Sequence, residues 1–255
     1  MDNGSPPERK KFKISFNKTK KNAILINVLL LILIITAALL SPVFAVKTIV
    51  ISGNSRLTDE KITAASGIIE KKNIFLFRTS RAEEGVAALS FVEAVTIRRK
   101  FPSSVLIDIT ERKPAAQVSL SDSIYIIIDK NGRILDTTPE KLRYSIPTIE
   151  NVTVEEFSIG DTLRIADETH YNIMFSILHE LIENEMWTRT KRIYHIDSYR
   201  IEYSDGIICD LEKGNDIPYK IKFLKEAIAK IPEGQKGTIE FVDNYKAVFK
   251  PDEKQ

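Results

Sequence analysis

The stretch of sequence that decides the fold is residues 47–67, which read KTIVISGNSRLTDEKITAASG. Its opening is rich in β-branched residues and ends at Gly53-Asn54, the pattern of a strand followed by a turn. Thr58 is placed as a helix N-cap, acidic residues follow it in the first turn, and Gly67 stands where a C-cap is expected. The stretch therefore predicts a strand, a tight turn and a short helix.

The residues after this stretch predict one more helix and two more strands. A capping-box pattern at Ser80-Arg81-Ala82-Glu83 marks the start of the second helix. Apolar and polar residues alternate around 95–97 and over 105–110, on either side of a turn at Phe101-Pro102, which predicts two strands. The order β-α-α-β-β over residues 47–114 describes a small α+β domain in which two short helices cover one face of a three-stranded sheet.

Residues 115–250 predict a second domain that is also α+β. Asn131-Gly132 and Asp205-Gly206 each lie between short apolar runs and supply the positive φ angles of a tight hairpin. Two amphipathic helices and two terminal strands are predicted as well. They occupy residues 167–182, 218–231, 237–242 and 245–250. We therefore expect a mixed, mainly antiparallel β domain with two helices, followed by a polar stub at 251–255.

The N-terminal part of the chain predicts a membrane anchor. Residues 23–46 contain no charged side chain, and a helix of that length would span about 36 Å, enough to cross a bilayer. Residues 1–22 hold seven basic and two acidic groups, so the positive-inside rule places this tail in the cytoplasm and the later domains outside. The alternative is a cleaved signal peptide with its cleavage site at Val43-Phe44-Ala45, but the apolar stretch exceeds the roughly 7–15 residues usual for such peptides.

Charge and cysteine content restrict the function further. The net charge of the whole chain is +2, from 37 basic and 35 acidic residues, so removing the basic tail leaves 30 basic and 33 acidic residues. Such a balance argues against nucleic-acid binding by the outer domains, for which a basic face is expected. Cys209 is the single cysteine, so no intramolecular disulfide can form and the outer domains must rely on their apolar cores.

A set of short motifs along the chain resembles one known family. In the first domain they are Ile51-Ser52-Gly53-Asn54, Ser66-Gly67-Ile68, Asn73-Ile74-Phe75, Leu89-Ser90-Phe91-Val92, Val95-Thr96-Ile97-Arg98-Arg99, Phe101-Pro102 and Glu111-Arg112-Lys113-Pro114. Following a membrane helix whose N-terminus lies inside, they resemble the POTRA domain of the FtsQ/DivIB family of bacterial cell-division proteins. The second domain resembles the β domain of that family through the hairpin at 125–136, Ile146-Pro147-Thr148-Ile149 and the Asp205-Gly206 hairpin.

The sequence departs from the family at Ser90, at Phe77-Arg78 and at Ile239-Glu240-Phe241-Val242. The resemblance implies a non-catalytic divisome scaffold in the cytoplasmic membrane, expected at the division septum. It would bind FtsB/DivIC-like and FtsL-like bitopic coiled-coil proteins, together with other divisome membrane proteins, and help position septal cell-wall synthesis.

The last predicted strand is the candidate partner-binding site. No further element follows it, so we expect it at a sheet edge, where unpaired main-chain groups can accept a strand from another protein. The resemblance implies the same end of the β domain as the place where partner segments bind. The candidate residues are Tyr245, Lys246, Ala247, Val248 and Phe249.

Motifs for catalysis, a metal or a cofactor are not recognised in the sequence. His179-Glu180-Leu181-Ile182-Glu183 begins like a zinc-binding helix, but Glu183 replaces the second histidine. A POTRA-bearing transport or assembly protein is one alternative function, although about 140 residues after the POTRA domain are too few for a large barrel. A membrane-tethered cell-wall enzyme is another, and it would need a catalytic carboxylate pair. Its candidates are Glu155, Glu156, Asp161, Asp205 and Asp210.

Overall fold

The computed structural model describes residues 18–121, 124–139, 146–243 and 246–252. The helices are α1 (Lys18–Leu39), α2 (Asp59–Ser66), α3 (Thr79–Ala87), α4 (Glu168–Glu183) and α5 (Ile217–Ile228). The strands are β1 (Thr48–Ser52), β2 (Val92–Lys100), β3 (Ser104–Glu111), β4 (Pro114–Ser121), β5 (Ile124–Asp129), β6 (Ile134–Thr138), β7 (Thr148–Glu150), β8 (Thr190–His195), β9 (Tyr199–Tyr203), β10 (Ile207–Asp210), β11 (Gly237–Asp243) and β12 (Lys246–Pro251). The strands of the described residues form a three-stranded sheet in the order β1-β3-β2 and a nine-stranded sheet in the order β12-β11-β10-β9-β8-β7-β4-β5-β6. The predicted α+β class is confirmed.

The described chain forms two compact units. The first contains the described residues up to Val50 together with Ile69–Arg78 and Arg98–Leu106, and the second contains the remainder. The predicted segments 1–22, 23–46, 47–114, 115–250 and 251–255 follow the order of elements along the chain rather than this grouping, and they stay a prediction. Most of the predicted tail, residues 1–17, and residues 253–255 of the predicted stub lie outside the described residues.

Helix α1 has the length and composition of a membrane span. Its segment Asn22–Leu39 has a mean hydropathy of 2.6, and none of that segment is buried within the protein. Helical structure ends at Leu39, and a 3-10 turn over Pro42–Phe44 follows, with the Ser41 side chain accepting a hydrogen bond from the Val43 N–H. The helix therefore ends before the charge-free stretch does. Pro42 lacks the N–H that another helical turn would need.

The turn after β1 requires glycine at position 53. Gly53 has a φ angle of +83°, and a β-carbon there would lie only 1.9 Å from the carbonyl oxygen of Ile109 on β3. Helix α2 follows with the predicted caps, since Thr58 accepts a hydrogen bond from the Lys61 N–H at 3.4 Å and Gly67 is left-handed. The strand, turn and helix predicted from residues 47–67 are confirmed.

The predicted capping box at the start of α3 is wrong. Helix α3 begins at Thr79, and the Glu83 carboxylate accepts a hydrogen bond from the main-chain N–H of Ile97 on β2, with 2.7 Å between oxygen and nitrogen. The Glu83 carboxylate therefore bonds to a strand, whereas a capping box would have it bond to the main chain at the start of the helix.

The carboxylate of Glu111, the last residue of β3, organises the loop between β1 and α2. It accepts hydrogen bonds from the main-chain N–H groups of Ser55, Arg56 and Leu57 at 2.9–3.1 Å. Burial acts to raise the pKa of Glu111, but these three N–H donors together outweigh it and hold the pKa below its ordinary value of 4.5. The charged form of Glu111 is therefore the form that stabilises the fold.

The next residue, Arg112, joins three segments of the chain. Its guanidinium donates to the Val92 carbonyl at 3.1 Å and to the Asp129 carboxylate at 2.8 Å. Asp129 is nearly buried and also accepts from the N–H groups of Asn131 and Arg133 at 2.8 and 2.9 Å. This carboxylate therefore shapes the Asn131-Gly132 hairpin turn and neutralises Arg112 at the same time.

The nine-stranded sheet is mixed and mainly antiparallel, as predicted. Five neighbouring strand pairs are antiparallel, and β4 with β7, β7 with β8, and β10 with β11 are parallel. Helices α4 and α5 bury apolar faces in the core of this sheet. Their buried residues include Met174, Ile177, Leu178, Leu181, Ile221 and Leu224. Strands β4, β7 and β8 were not predicted, and α5 ends at Ile228, about one turn before the predicted end.

We predict that Gly53→Ala destabilises the protein by about 3 kcal/mol. Alanine would be strained in the left-handed backbone conformation, and its β-carbon would clash with the Ile109 carbonyl. Gly67→Ala is the matched control. Gly67 is also left-handed, but a β-carbon there meets no atom within 4 Å, so its cost should be about 1 kcal/mol. Urea unfolding of the detergent-solubilised chain measures both values. Equal losses in the two variants would contradict the close approach of β1 and β3.

We predict that Glu111→Gln lowers the free energy of unfolding by about 1 kcal/mol or more near pH 7, since charge-assisted hydrogen bonds become neutral ones. A carboxyl with a lowered pKa in the folded state stabilises above its unfolded pKa and loses that contribution as pH falls. The difference between wild type and variant should therefore narrow as pH falls below 4.5. Thermal unfolding across this range measures it, with the exposed Glu93→Gln as control. A constant difference would contradict the assignment.

Candidate partner-binding edge

Strand β12 lies at one end of the nine-stranded sheet. It pairs antiparallel with β11, with Ile239 opposite Phe249, Glu240 opposite Val248 and Phe241 opposite Ala247. Within the part of the chain that the structure describes, no strand pairs with its other side. Half of the main-chain groups of such an edge strand point away from the sheet.

The register identifies which main-chain groups of β12 point outward. The Asp252 N–H donates to the Lys236 carbonyl at 3.0 Å, which makes Gly237 opposite Pro251 a non-hydrogen-bonded pair. Because the two kinds of pair alternate, Val248 and Lys250 direct their N–H and C=O groups to β11, whereas Ala247 and Phe249 direct theirs away from it. Pro251 is also in the outward phase, but it has no N–H to offer.

The two faces of β12 differ in character. Ala247 and Phe249 are partly buried against the core of the sheet. On the other face Val248 is 47% exposed, while Val242 of β11 is 68% exposed. Lys246 and Lys250 are exposed on either side of Val248. This face therefore combines two exposed valines with Lys246 and with an ion pair between Lys250 and Glu240, whose Nζ and Oε2 atoms lie 2.5 Å apart.

The opposite edge of the sheet, at β6, is partly covered. The Ile134 N–H donates to the Asp161 carbonyl at 2.8 Å, and the Ile134 carbonyl accepts from the Gly160 N–H at 2.9 Å. An isolated bridge also pairs Arg133 with Thr162. These bonds occupy the start of β6, so β12 is the more open of the two edges over the described residues.

The structure places four of the five predicted site residues on this edge. Lys246, Ala247, Val248 and Phe249 all belong to β12, whereas Tyr245 lies outside the described residues. The sequence did not indicate which of them expose main-chain groups, because that depends on the register with β11. Val242 was not singled out from the sequence; along β11 it follows the buried residues Ile239 and Phe241 in alternation and therefore lies on the exposed face.

The single cysteine and two of the five candidate catalytic carboxylates, Asp205 and Asp210, have structural surroundings. Cys209 is fully buried on β10, and burial raises the pKa of its thiol far above the usual range, which keeps it protonated. Asp205 pairs with Arg189 at 2.8 Å and Asp210 pairs with Arg200 at 3.0 Å. These contacts account for both carboxylates without a catalytic role.

The histidines of the described residues do not form a metal centre either. His179 is exposed on α4, and in residues 18–121, 124–139, 146–243 and 246–252 no three histidine, cysteine or carboxylate side chains are placed to hold a metal ion. His170 and His195 lie near each other, with ring centroids 4.9 Å apart. Partial burial and the neighbouring His195 lower the pKa of His170, although Asp167 acts in the opposite direction.

Comparison with known proteins gives one consistent result. Residues 44–112 match the family described as "POTRA domain, FtsQ-type". The chain is 27% identical to the cell division protein DivIB of Clostridium botulinum over 206 residues, and this alignment covers 80% of each chain. It is 27% identical over 234 residues to DivIB of Bacillus anthracis, covering 80% of this chain and 86% of that one. It is 30% identical over 98 residues to the cell division protein FtsQ of Corynebacterium glutamicum, covering 38% and 44%.

These matches confirm the resemblance found in the sequence motifs. They run through an FtsQ-type POTRA domain and, for DivIB, through most of the chain. Relatives named as cell division proteins support a role in division, and the apolar helix α1 fits a membrane-anchored protein of that kind. The chain thus carries an FtsQ-type POTRA domain and is a relative of the FtsQ and DivIB cell division proteins.

Proposed function

We propose that this protein is a non-catalytic scaffold of the bacterial division machinery. It is anchored in the cytoplasmic membrane by α1, with its N-terminus in the cytoplasm and its later domains outside, and it acts at the septum. Its partners are FtsB/DivIC-like and FtsL-like bitopic coiled-coil proteins and other membrane proteins of division. The observation that carries the proposal is the open edge of β12, where Ala247 and Phe249 direct main-chain groups away from the sheet.

The mechanism is the addition of a partner strand to this edge. Each main-chain hydrogen bond formed with Ala247 or Phe249 contributes a net stabilisation of about 0.5–1.5 kcal/mol. Val248 and Val242 offer apolar contact on one face, and Lys246 favours an acidic side chain on the partner, whereas Lys250 is already paired with Glu240. Main-chain bonds thus supply affinity, and the side chains around them supply specificity.

The surroundings of the titratable groups support a scaffold over a membrane-tethered enzyme. Of the proposed acidic candidates, Asp205 and Asp210 are engaged in ion pairs with arginines. The thiol of Cys209 is buried and kept protonated. By holding partners beside the membrane, the scaffold would position septal cell-wall synthesis without taking part in its chemistry.

We predict that Ala247→Pro weakens partner capture at least about fivefold, because proline removes the outward N–H and its ring blocks an added strand. Ala247→Val is the matched control, since it keeps the N–H and a β-branched residue suits a strand. Co-purification of the full-length chain from membranes with FtsB/DivIC-like and FtsL-like proteins measures the effect.

A second proline variant tests the direction of the main-chain groups. Val248→Pro removes an N–H that bonds to β11, so it should lower the unfolding temperature more than Ala247→Pro does. Circular dichroism of both variants checks that the sheet is retained. If a folded Ala247→Pro protein captures its partners as wild type does, the edge is not the binding site.

A further inference from the structure

The segment that follows α1 is tied to the end of that helix. The side-chain amide of Asn73 donates to the carbonyl of Leu39, the last residue of α1, at 2.6 Å. Asn73 also forms an isolated bridge with Ala45, and the Ile74 N–H donates to the Phe44 carbonyl at 2.8 Å. All of these residues belong to the first compact unit. If α1 spans a bilayer, residues 73–76 therefore lie at the surface of that bilayer.

An apolar surface stands at this place, and we name Phe44, Phe75, Leu76 and Phe101 the juxtamembrane face. The ring of Phe75 lies 5.3 Å, centroid to centroid, from the rings of both Phe44 and Phe101. Phe75 is 42% exposed, Phe101 is 56% exposed and Leu76 is 72% exposed. Single exposed apolar residues are ordinary, but a contiguous group of this kind marks an interaction surface.

The turn that presents this face is held in place by Arg99. Its guanidinium donates to the carbonyl of Ile74 at 2.9 Å and to the carbonyl of Phe77. It also lies over the Phe77 ring, 4.7 Å from the centroid, where a cation–π attraction adds to the hydrogen bonds. Phe75 and Leu76, between the two bonded carbonyls, are thus directed outward by a fixed turn.

The segments that carry the face have an excess of basic residues. In residues 41–50, 69–78 and 98–106, which are the part of the first unit beyond the helix, seven basic residues stand against the single acid Glu70. The basic residues are Lys47, Lys71, Lys72, Arg78, Arg98, Arg99 and Lys100. Lys71, Lys72 and Lys100 are exposed, and lysines that accompany exposed apolar side chains are typical of surfaces that bind anionic lipid interfaces.

We infer that the juxtamembrane face rests on the outer surface of the same bilayer that α1 crosses. Phe75, Leu76 and Phe101 enter the boundary between headgroups and acyl chains, and Lys71, Lys72 and Lys100 meet anionic phospholipid headgroups. A lipid surface is favoured over a protein partner because the face is continuous with the end of α1. The inference rests on the placement of residues after α1 outside the membrane, as proposed above.

Fluorescence quenching tests the inference on the full-length chain reconstituted into vesicles. Trp187 is the single tryptophan, so a Trp187→Phe background allows one reporter at a time. Leu76→Trp reports on the face, and Ile196→Trp, at a 58% exposed residue between β8 and β9, is the matched control. The lipids are phosphatidylcholine and phosphatidylglycerol brominated on the acyl chains near the headgroups.

We expect several-fold stronger quenching at position 76 than at position 196. In vesicles that contain phosphatidylglycerol, combined Lys71→Glu, Lys72→Glu and Lys100→Glu changes should reduce the quenching at position 76, and pure phosphatidylcholine should reduce that quenching likewise.

Equal quenching at the two positions, in protein that floats with the vesicles, overturns the inference alone. Protein that fails to float overturns the membrane anchor as well. Strong quenching that neither charge reversal nor lipid charge alters overturns the assignment to anionic headgroups.

Discussion

Each main-chain N–H and C=O group that is removed from water must find a hydrogen-bond partner. This requirement governs the parts of the chain on which the proposed function depends. In α1 the partners are internal, and a helix of this kind can therefore enter a bilayer. At the loop after β1 a side chain provides them, because Glu111 accepts three N–H groups in succession. On the outer side of β12 the described residues provide none, and this open requirement is what an added strand would satisfy.

The same requirement explains why a few polar side chains fix the position of a helix end or a turn. Asn73 bonds the last carbonyl of α1, where helical bonding has ended. Arg99 satisfies two carbonyls of a turn and thereby directs Phe75 and Leu76 outward. Asp129 accepts two turn N–H groups while it neutralises Arg112. In each case a polar group replaces the regular bonding that a helix end or a turn lacks.

Most of the elements that depend on neighbouring residues were predicted from the sequence, and the capping box at Ser80-Arg81-Ala82-Glu83 is an exception. Glycine at position 53, the caps Thr58 and Gly67, and the hairpin at Asn131-Gly132 are local signals, and the structure contains all of them. The parallel strand β7 and its pairings were not predicted, because its partners are distant in sequence and only three of its residues form the strand. The outward direction of the Ala247 and Phe249 groups depends on register, and the ring contacts of Phe75 with Phe44 and with Phe101 join three separate segments. Neither feature leaves a pattern in one stretch of sequence.

In the proposed function, a partner strand bonds the outward main-chain groups of β12. Amide hydrogen exchange of the full-length chain in lipid nanodiscs, resolved to single residues and compared with and without an FtsB/DivIC-like partner, tests it most directly. We predict that the partner slows exchange at Ala247 and Phe249, whose N–H groups are otherwise free to bond with water. Val248 and Lys250, which already bond to β11, should change far less. Bound partner with unchanged exchange at Ala247 and Phe249 would contradict the account.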